Sequence, residues 1–414
     1  MPGFDSEGVL LDWHIVVTAG AVAAGALFAR DVAAVWFVAA AAAAFVGVAA
    51  RRPFALMVGL AVISSVLAAR AWDGLRPPPA AVVNNQWVTL LTDPTPFPGG
   101  SIGADVRIGH RHASAFARGP AGSAMISRLA GEHIRVGGVL RPLTGVQRDR
   151  LAPRHIAARL SINTVTGVRN ANFLGTIANA YRRVVATGAR ALPERLRPLF
   201  GGMVLGDDRG QSTELQDAFR AAGLTHLMVV SGQNVAFALL VASPLIRRGR
   251  LVWRFGMTLL VLVGFGVLTR WEPSVLRAEA MAAVAAAGAL VGRPVPALRL
   301  LALAATGCVL VDPLLVHSVG FRLSVAAVTG LVVLTPVLQR RRVPMLLAAS
   351  IAAQLGAAVV LVPTFGTVPL VSLPANVLAV PLAGPLMMWG LTAGPVAGLI
   401  APLAGVIHLP TQVV

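Results

Sequence analysis

Long runs of apolar residues with few internal charges recur along this chain, and no other feature limits its fold as strongly. A helix of about 20 apolar residues, rising about 1.5 Å per residue, crosses the hydrocarbon core of a bilayer. Hydrophobic residues make up 56% of the 414 residues and charged residues 13%, which is too little charge for a soluble surface of this size. The sequence therefore predicts a polytopic α-helical membrane protein.

The apolar runs predict about ten transmembrane helices, some of them broken. Three occupy the N-terminal part of the chain, at 13–29, 32–50 and 54–71. Seven follow in the C-terminal half, before a partial span up to the end: 224–246, 251–268, 275–291, 298–311, 316–338, 345–362 and 375–391. Gly, Pro and polar residues interrupt several of the later runs. Because irregular backbone at membrane depth is tolerated only where protein or water surrounds it, the interruptions favour a cavity or a path.

A polar segment rich in Gly, Pro and Arg, residues 73–169, separates the two groups of spans. Short stretches in it alternate apolar and polar residues, as half-buried strands do. They are residues 87–91, 102–108, 132–140 and 160–168. About five short strands in a segment of this length predict a small inserted β-barrel that is OB-like.

Two helices are predicted between this segment and the later spans. Residues 171–197 read as one amphipathic helix, with its apolar and basic positions on different faces. The apolar face comprises Phe173, Ile177, Tyr181 and Val185, and the residues off it are Arg182, Arg183 and Arg190. A second, shorter helix at 213–222 begins after a capping Ser212 or Thr213.

Arginines cluster in loops that fall on one side of the membrane when the spans are threaded in order. These loops are 51–52, 247–250, 293–299 and 340–342. Short loops rich in Arg or Lys stay in the cytoplasm. The N-terminus is therefore predicted to be cytoplasmic and residues 73–222 extracytoplasmic.

The charge balance predicts anionic partners, because 35 basic residues stand against 17 acidic ones and give a formal charge of +18. Lipid head groups and a phosphate backbone both fit this excess. The Arg-rich segment 73–169 accordingly has two interpretations. It is either a barrel that holds DNA, with Trp87, Phe97 and Phe116 as its few aromatic side chains, or a spacer that lies on lipid head groups.

Four polar side chains stand inside the apolar run that begins at Leu224: His226, Ser231, Gln233 and Asn234. At that depth polar groups are costly without partners or water, so they either bond one another at a helix break or line a path. Arg277, in a later span, either has a functional role or extends to the membrane interface. Arg322 lies deeper in its span, where pairing with Asp312 and lining a path both explain it.

A series of short motifs resembles the ComEC competence family of DNA-uptake membrane proteins. The motifs run from about residue 200 to 385, and the three helices and OB-like layout before them match the family as well. In order they are Gly206-Asp207, Phe219-Arg220, Gly223 to Leu227, Val230-Ser231-Gly232 with Asn234, Arg277-Ala278 with Met281, Asp312-Pro313, Gly320-Phe321-Arg322-Leu323-Ser324, Phe365-Gly366, Pro374-Ala375-Asn376 and Pro381.

The resemblance implies import of single-stranded DNA through a channel in the bacterial cytoplasmic membrane, with the OB-like domain outside. Two departures stand beside it. Many members continue into a metallo-β-lactamase-like domain, which this chain lacks, so a short form, a fragment or a degenerate gene is expected. The common pattern has Leu-His where this sequence has Gln233-Asn234.

Four parts are predicted: N-terminal helices at 1–72, the OB-like domain at 73–169, amphipathic helices at 170–222, and a channel core at 223–414 that ends early. The residues expected on the DNA path are His226, Ser231, Gln233, Asn234, Arg277, Arg322 and Asn376. The motif also contributes Gly206, Asp207, Arg220, Gly232, Asp312, Pro313, Gly320, Phe321, Ser324, Phe365 and Gly366. Expected partners are single-stranded DNA, membrane lipids, a cytoplasmic motor, an extracytoplasmic receptor or nuclease, and a second copy of the chain.

Two other classes of function compete with DNA transport. A transporter for a small or lipidic anion would use the same broken helices and arginines. An intramembrane hydrolase would use His226 and Ser231, but no Gly-x-Ser-x-Gly turn and no orienting acid accompany them. The eight scattered His give no metal-ligand cluster, and no nucleotide-binding loop of the P-loop type is present. The sequence thus predicts a non-enzymatic protein without cofactor or metal, whose energy comes from a partner or a gradient.

Overall fold

The computed structural model describes residues 6–28, 40, 44, 53–97, 99–367 and 371–413. Of the predicted span 32–50, only Ala40 and Ala44 fall within these residues, and both are helical. The described helices are α1 Ser6–Phe28, α2 Pro53–Gly74, α3 Gly119–Ile126, α4 Gly145–Leu151, α5 Phe173–Gly188, α6 Arg197–Leu205, α7 Thr213–Ala221, α8 Gly232–Ile246, α9 Leu251–Leu268, α10 Pro273–Leu290, α11 Ala297–Val311, α12 Val319–Arg340, α13 Met345–Phe365, α14 Ser372–Leu399, α15 Ala404–Ile407 and α16 Leu409–Val413.

Six helices in the described part of the chain are long and apolar enough to cross a membrane: α2, α8 with the turn before it, α9, α12, α13 and α14. Two shorter apolar helical stretches, His14–Phe28 and Ala297–Val311, accompany them. Most helix bounds lie within a few residues of the predicted spans, but α1 already begins at Ser6, α8 begins only at Gly232, and α14 continues to Leu399. The chain is mostly helical and consistent with a polytopic membrane protein.

The chain divides into two compact units, which are described separately. The helical unit comprises Met1–Gly74, Leu245–Leu259 and Leu276–Leu373, and the mixed unit comprises Leu75–Pro244, Leu260–Val275 and Pro374–Val414. In the helical unit, small residues allow helix backbones to approach closely, as is common in membrane bundles. A Cβ on Gly330 of α12 would lie 2.8 Å from the Cα of Gly356 on α13. The buried core of this unit contains Val22, Ala26, Ala68, Cys308, Val309, Leu315, Val316 and Phe321.

The mixed unit contains one sheet of six strands: β1 Ala81–Leu90, β2 Thr95–Phe97, β3 Ser101–Ile108, β4 Arg111–Ala117, β5 His133–Pro142 and β6 Ile156–Arg169. The strand order is β1-β5-β6-β4-β3-β2, and β1 pairs additionally with β3. All pairs are antiparallel except β4 with β6. Alternate apolar positions of these strands, together with Met125 of α3, form the core. The OB-like barrel stays a prediction.

Strand β4 is absent from the segments predicted by alternation. Its buried positions are Ala113, Ala115 and Ala117, and alanine has no strong preference for strands. The sequence RHASAFA therefore looks like a polar loop, although its period of two is intact. Only pairing with β3 and β6 identifies it as a strand.

The single helix predicted over 171–197 is wrong, because α5 ends at Gly188 and α6 begins at Arg197. A short 3₁₀ turn, Ala189–Ala191, and an extended Leu192 intervene. The residues that follow it, Pro193 and those up to Leu196, carry no helix, since proline cannot continue one. By contrast, the predicted start of α7 is confirmed, because the Ser212 side chain accepts a hydrogen bond from the Leu215 N–H.

The predicted faces of α5 are also partly wrong. Phe173 and Ile177 are exposed, whereas Arg182 is buried, with 2% of its surface exposed. Val185 is buried as expected. The reversal arises because Arg182 finds carbonyl and carboxylate partners in the interior, which a sequence pattern does not reveal.

Three glycines spaced four residues apart line one face of α14: Gly390, Gly394 and Gly398. A Cβ on Gly398 would lie 1.9 Å from the carbonyl oxygen of Val184 on α5, so only glycine permits this contact. The Tyr181 hydroxyl donates a hydrogen bond of 2.6 Å to the main-chain oxygen of Leu391. Helix α5 is thus held directly against the backbone of α14.

Candidate functional site

A helix break separates α7 from α8 and positions the predicted polar residues of this region. Gly223, at φ +68°, follows the end of α7, and a 3₁₀ turn covers Thr225–Leu227. Helix α8 then begins at Gly232. A helix start leaves main-chain groups without intrahelical partners, which side chains must satisfy.

Asn234 bonds to main chain and side chain around this break. Its Nδ2 donates to the carbonyl oxygen of Met203 at 3.0 Å, and its Oδ1 accepts from the Ser231 hydroxyl at 3.3 Å. The Asn234 side chain is buried, whereas Gln233 and His226 are exposed. Asn234 therefore joins α8 to the end of α6, whereas the Gln233 and His226 side chains lie at the surface.

The four polar residues of this region surround one small cavity. It is lined by His226, Ser231, Gln233 and Asn234, together with apolar side chains of α6, α8 and α14 such as Met203, Phe237 and Met387. The cavity measures about 10 Å³, which is roughly the space of a single water molecule. These four of the seven residues predicted on the path therefore lie around one cavity, which is far smaller than a nucleotide.

The loop that follows α6 carries the Gly206-Asp207 motif and is built as a helix terminator. Gly206 has φ +68°, its N–H donates to the Gly202 carbonyl oxygen, and the Asp207 N–H donates to the Gly201 oxygen. The Gly206 bond is that of an αL C-cap, in which the first residue after the helix is left-handed and donates to the carbonyl four residues before it. A Cβ on Gly202 would lie 2.3 Å from the Met228 oxygen, so α6 also packs tightly on the break.

A buried ion network lies beside this loop and was missed by the sequence analysis. Arg182 Nη1 donates to the carbonyl oxygens of Leu205 at 2.7 Å and Leu268 at 2.8 Å, at the ends of α6 and α9. Its Nη2 donates to Asp93 Oδ2 at 2.7 Å and lies 3.7 Å from Asp207 Oδ2. One arginine therefore connects the sheet segment, α5, α6 and α9.

Arg270 completes the network on the other oxygen of Asp93. Its Nη2 donates to Asp93 Oδ1 at 3.2 Å and to Asn179 Oδ1 at 2.6 Å. Burial alone would raise the pKa of Asp93, but the guanidinium groups of Arg182 and Arg270 and the N–H of Ala130 hold it below its usual value. A sequence signal existed, because acidic residues are scarce in this chain and a buried arginine needs them.

A wider cavity of about 390 Å³ opens next to the same loop. Its walls are mostly apolar, and Arg197, Asp207 and Arg209 add charge. Arg209 donates through Nε to Asp207 Oδ1 at 2.7 Å, so the motif aspartate is already neutralised by two arginines.

Arginine side chains cover aromatic rings on the sheet. The Arg169 and Arg135 guanidinium carbons lie 4.2 and 5.9 Å from the centre of the Trp87 ring. The Arg159 guanidinium carbon lies 4.4 Å from the centre of the Phe116 ring, which Phe97 meets edge-on. These contacts are cation–π pairs, in which the guanidinium charge is attracted by the ring.

In the helical unit, Arg277 is buried and hydrogen-bonded within the bundle. Its Nε donates to the Ser324 hydroxyl at 2.9 Å and its Nη1 to the Met281 sulfur at 3.2 Å. It therefore does not extend to an interface. Arg322 is exposed and, among the described residues, forms no ion pair, which leaves the predicted pairing with Asp312 unsupported.

Most other motif residues shape helix ends. Asp312 accepts from the Leu314 N–H at 3.0 Å and precedes the buried Pro313. Gly366 ends α13 at φ +74°, next to the exposed Phe365. The remaining placements are Gly320 in the first turn of α12, Phe321 in the core of the helical unit, Arg220 in an exposed pair with Asp217, and Asn376 in α14 with an unpartnered Oδ1.

Within the part of the chain that the structure describes, no group of three or more His, Cys, Asp or Glu could hold a metal ion.

Comparisons with known proteins found one matching family and two curated relatives. The Competence protein family matches residues 203–414, just over half of the chain. ComE operon protein 3 of Bacillus subtilis (strain 168) is 26% identical over 243 residues, covering 56% of this chain and 31% of that protein. Uncharacterized protein YcaI of Escherichia coli (strain K12) is 30% identical over 226 residues, covering 49% and 29%.

The chain thus spans about three tenths of the length of these curated relatives. No solved structure matches it. The match includes the Gly206-Asp207 loop, the helix break and the helical spans that follow. The chain belongs to the Competence protein family.

Proposed function

We propose that this protein conducts single-stranded DNA across the bacterial cytoplasmic membrane during natural transformation, as a channel and without catalysis. The observation that carries the proposal is the competence match over residues 203–414, which includes the polar break at the start of α8. A broken helix in a membrane bundle is favoured where a path or cavity needs it. DNA as the cargo is inferred from the family, since the chain spans only part of its relatives.

The proposed path is lined by His226, Ser231, Gln233, Asn234, Arg277, Arg322 and Asn376. Support comes from the four residues that meet around the cavity and from the exposed Arg322, whose cation suits a phosphate. The cavity of about 10 Å³ admits no nucleotide, so conduction requires the break to open. Gln233 and Arg322 are the residues to change first, because both are exposed.

We propose further that residues 73–169 form an OB-like, extracytoplasmic domain that holds the strand before entry. The β1–β3 pairing supports this, because it completes a cycle of paired strands: β1 with β3, β3 with β4, β4 with β6, β6 with β5, and β5 with β1. Helix α3 lies between β4 and β5 in the sequence. The Arg169 and Arg159 guanidinium groups over the rings of Trp87 and Phe116 supply positive charge beside aromatic side chains. Binding that weakens steeply with salt is expected from phosphate contacts.

The proposed arrangement keeps the N-terminus cytoplasmic and residues 73–222 outside, with helices at 1–72 and a channel core at 223–414. Arg-rich loops at 247–250 and 340–342 support it. The proposed partners are a motor in the cytoplasm and a receptor or nuclease outside, which would act on the same strand. A second copy of the chain is a further proposed partner.

Transformation of a competent strain deleted for its own copy tests the proposal. The strain is complemented with this chain, intact or carrying Arg322→Ala or Gln233→Leu. Matched controls are Arg254→Ala and Gln147→Leu, because both replaced residues are exposed and lie outside the proposed path. Membrane insertion is quantified for every variant.

Restored transformation by the intact chain and the controls, with a loss of tenfold or more for the path variants, supports a DNA channel. If the intact chain fails while a full-length relative succeeds in the same strain, DNA conduction by this chain is rejected. Uptake of short anions with no dependence on polymer length would then favour the small-anion transporter.

A further inference from the structure

A carboxyl group buried in the helical unit has no hydrogen-bond partner in the described part of the chain. Glu279 of α10 is 5% exposed, and neither of its oxygens is hydrogen-bonded to a described residue. Among the buried carboxylates of the described residues it is the one with both oxygens unsatisfied, since Asp105 and Glu132 each lack a partner on a single oxygen.

The nearest arginine in the sequence does not pair with it. Arg277 donates to Ser324 and Met281 instead. Residues two apart on a helix point to different sides, which keeps the two charged groups separate. The bundle therefore contains a buried cation that has partners and a buried carboxyl group that has none.

Apolar residues near Glu279 on α10 belong to the interior of the helical unit. Leu276 and Ala280, one turn before it and next to it on α10, pack against the core of the helical unit. Among the described residues, no cationic side chain forms an ion pair or a hydrogen bond with the Glu279 carboxyl group. Arg277, Cys308 and Arg322 therefore do not compensate a charge at this position.

An ionised carboxylate in apolar surroundings, without a counter-ion or hydrogen bonds, is far more costly than the neutral acid. We propose that Glu279 is a proton-binding site of the helical unit and carries a proton at neutral pH. Carboxyl groups within membrane helices are the chemistry by which transporters and pumps exchange protons. The site stands independently of the cargo, because burial and missing partners alone define it.

Labelling of the full chain in lipid nanodiscs with the apolar reagent dicyclohexylcarbodiimide tests this, because carbodiimides add to protonated carboxyl groups. Peptide mass spectrometry should find the adduct on Glu279 at pH 7, and a water-soluble carbodiimide should not produce it. Glu194 is the control, since it is exposed and should escape the apolar reagent. Labelling of Glu279 at pH 5 but not at pH 7 overturns the proposal.

Stability provides a second readout that does not depend on access of a reagent. Between pH 5.5 and 7 a glutamate is ionised in the unfolded chain. If it is protonated in the folded chain, one proton is lost on unfolding. The unfolding equilibrium constant of the native protein relative to Glu279→Gln should then rise about tenfold per pH unit. A ratio that stays constant over this range shows that Glu279 is ionised when folded and rejects the site, and Glu194→Gln should give a ratio near one throughout.

Discussion

Arg182 and Asp93 form a buried ion pair of 2.7 Å, although 89 positions separate them in the sequence. The same guanidinium group also donates to carbonyl oxygens at the ends of α6 and α9. Carbonyl oxygens at the C-terminal end of a helix attract cations. All partners of Arg182 therefore favour the charged form of its guanidinium group.

Replacing Arg182 should destabilise the protein strongly. Arg182→Met leaves Asp93 and two carbonyl groups without this donor, and loss of one partner of a buried pair costs about 3–5 kcal/mol. Denaturant unfolding of the purified protein in mixed micelles measures the change. Arg190→Met, at an exposed position of the turn after α5, should change stability by no more than about 0.5 kcal/mol. A similar small effect for both variants would contradict a structural role for the network.

Acid should lower the folding stability of the protein by protonating Asp93. The arginines hold the folded-state pKa of Asp93 below its usual value despite burial. A carboxyl group with a lowered folded-state pKa stabilises the fold above its unfolded pKa of about 3.9 and loses that contribution as pH falls through the folded value.

The test compares unfolding of the native protein and Asp93→Asn from pH 6 to pH 3. The native protein should lose stability below about pH 4, whereas this component should be missing from the variant, which is less stable at pH 6. Parallel curves for the two proteins below pH 4 would show that Asp93 does not titrate in this way.

The glycine stripe of α14 should resist substitution at its tightest point. Gly398→Ala places a Cβ 1.9 Å from the Val184 oxygen, and such overpacking costs about 1–3 kcal/mol. Gly264→Ala on α9 is the matched control, because a Cβ there meets nothing within 4 Å. The control should be neutral or stabilising by up to about 1 kcal/mol, since alanine favours helix more than glycine does. Equal effects at both positions would argue against close packing of α5 on α14.

Asn234 and Gln233 should differ sharply although they are neighbours. Asn234→Ala removes the hydrogen bond to the Met203 oxygen in a buried position, which costs about 1–3 kcal/mol. Gln233→Ala changes an exposed side chain and should alter stability by less than about 0.5 kcal/mol. Thermal unfolding of the two variants measures this, and a larger loss for Gln233 would reverse the assignment of roles at the break.

Much of the helical architecture was predictable because each membrane span corresponds to one contiguous apolar segment of the sequence. The bounds of α9 agree with the predicted 251–268, and Gly206, Gly223 and Gly366 stop helices as glycine does in a left-handed position. The break before α8 was predictable because its signal also lies in neighbouring residues. A polar Ser231-Gly232-Gln233-Asn234 sequence is costly inside an apolar run unless the chain reorganises there.

The sequence by itself therefore determined that the chain enters a membrane, where its apolar helices begin and end, and where one of them breaks, because these properties depend on neighbouring residues. Only the tertiary structure decided that Arg182 turns inward to Asp93, that an alanine-lined segment becomes β4, and that Glu279 is left without a partner. Each of these depends on groups that are distant in the sequence. Whether a buried charge finds a partner is fixed by packing, which no local pattern of residues encodes.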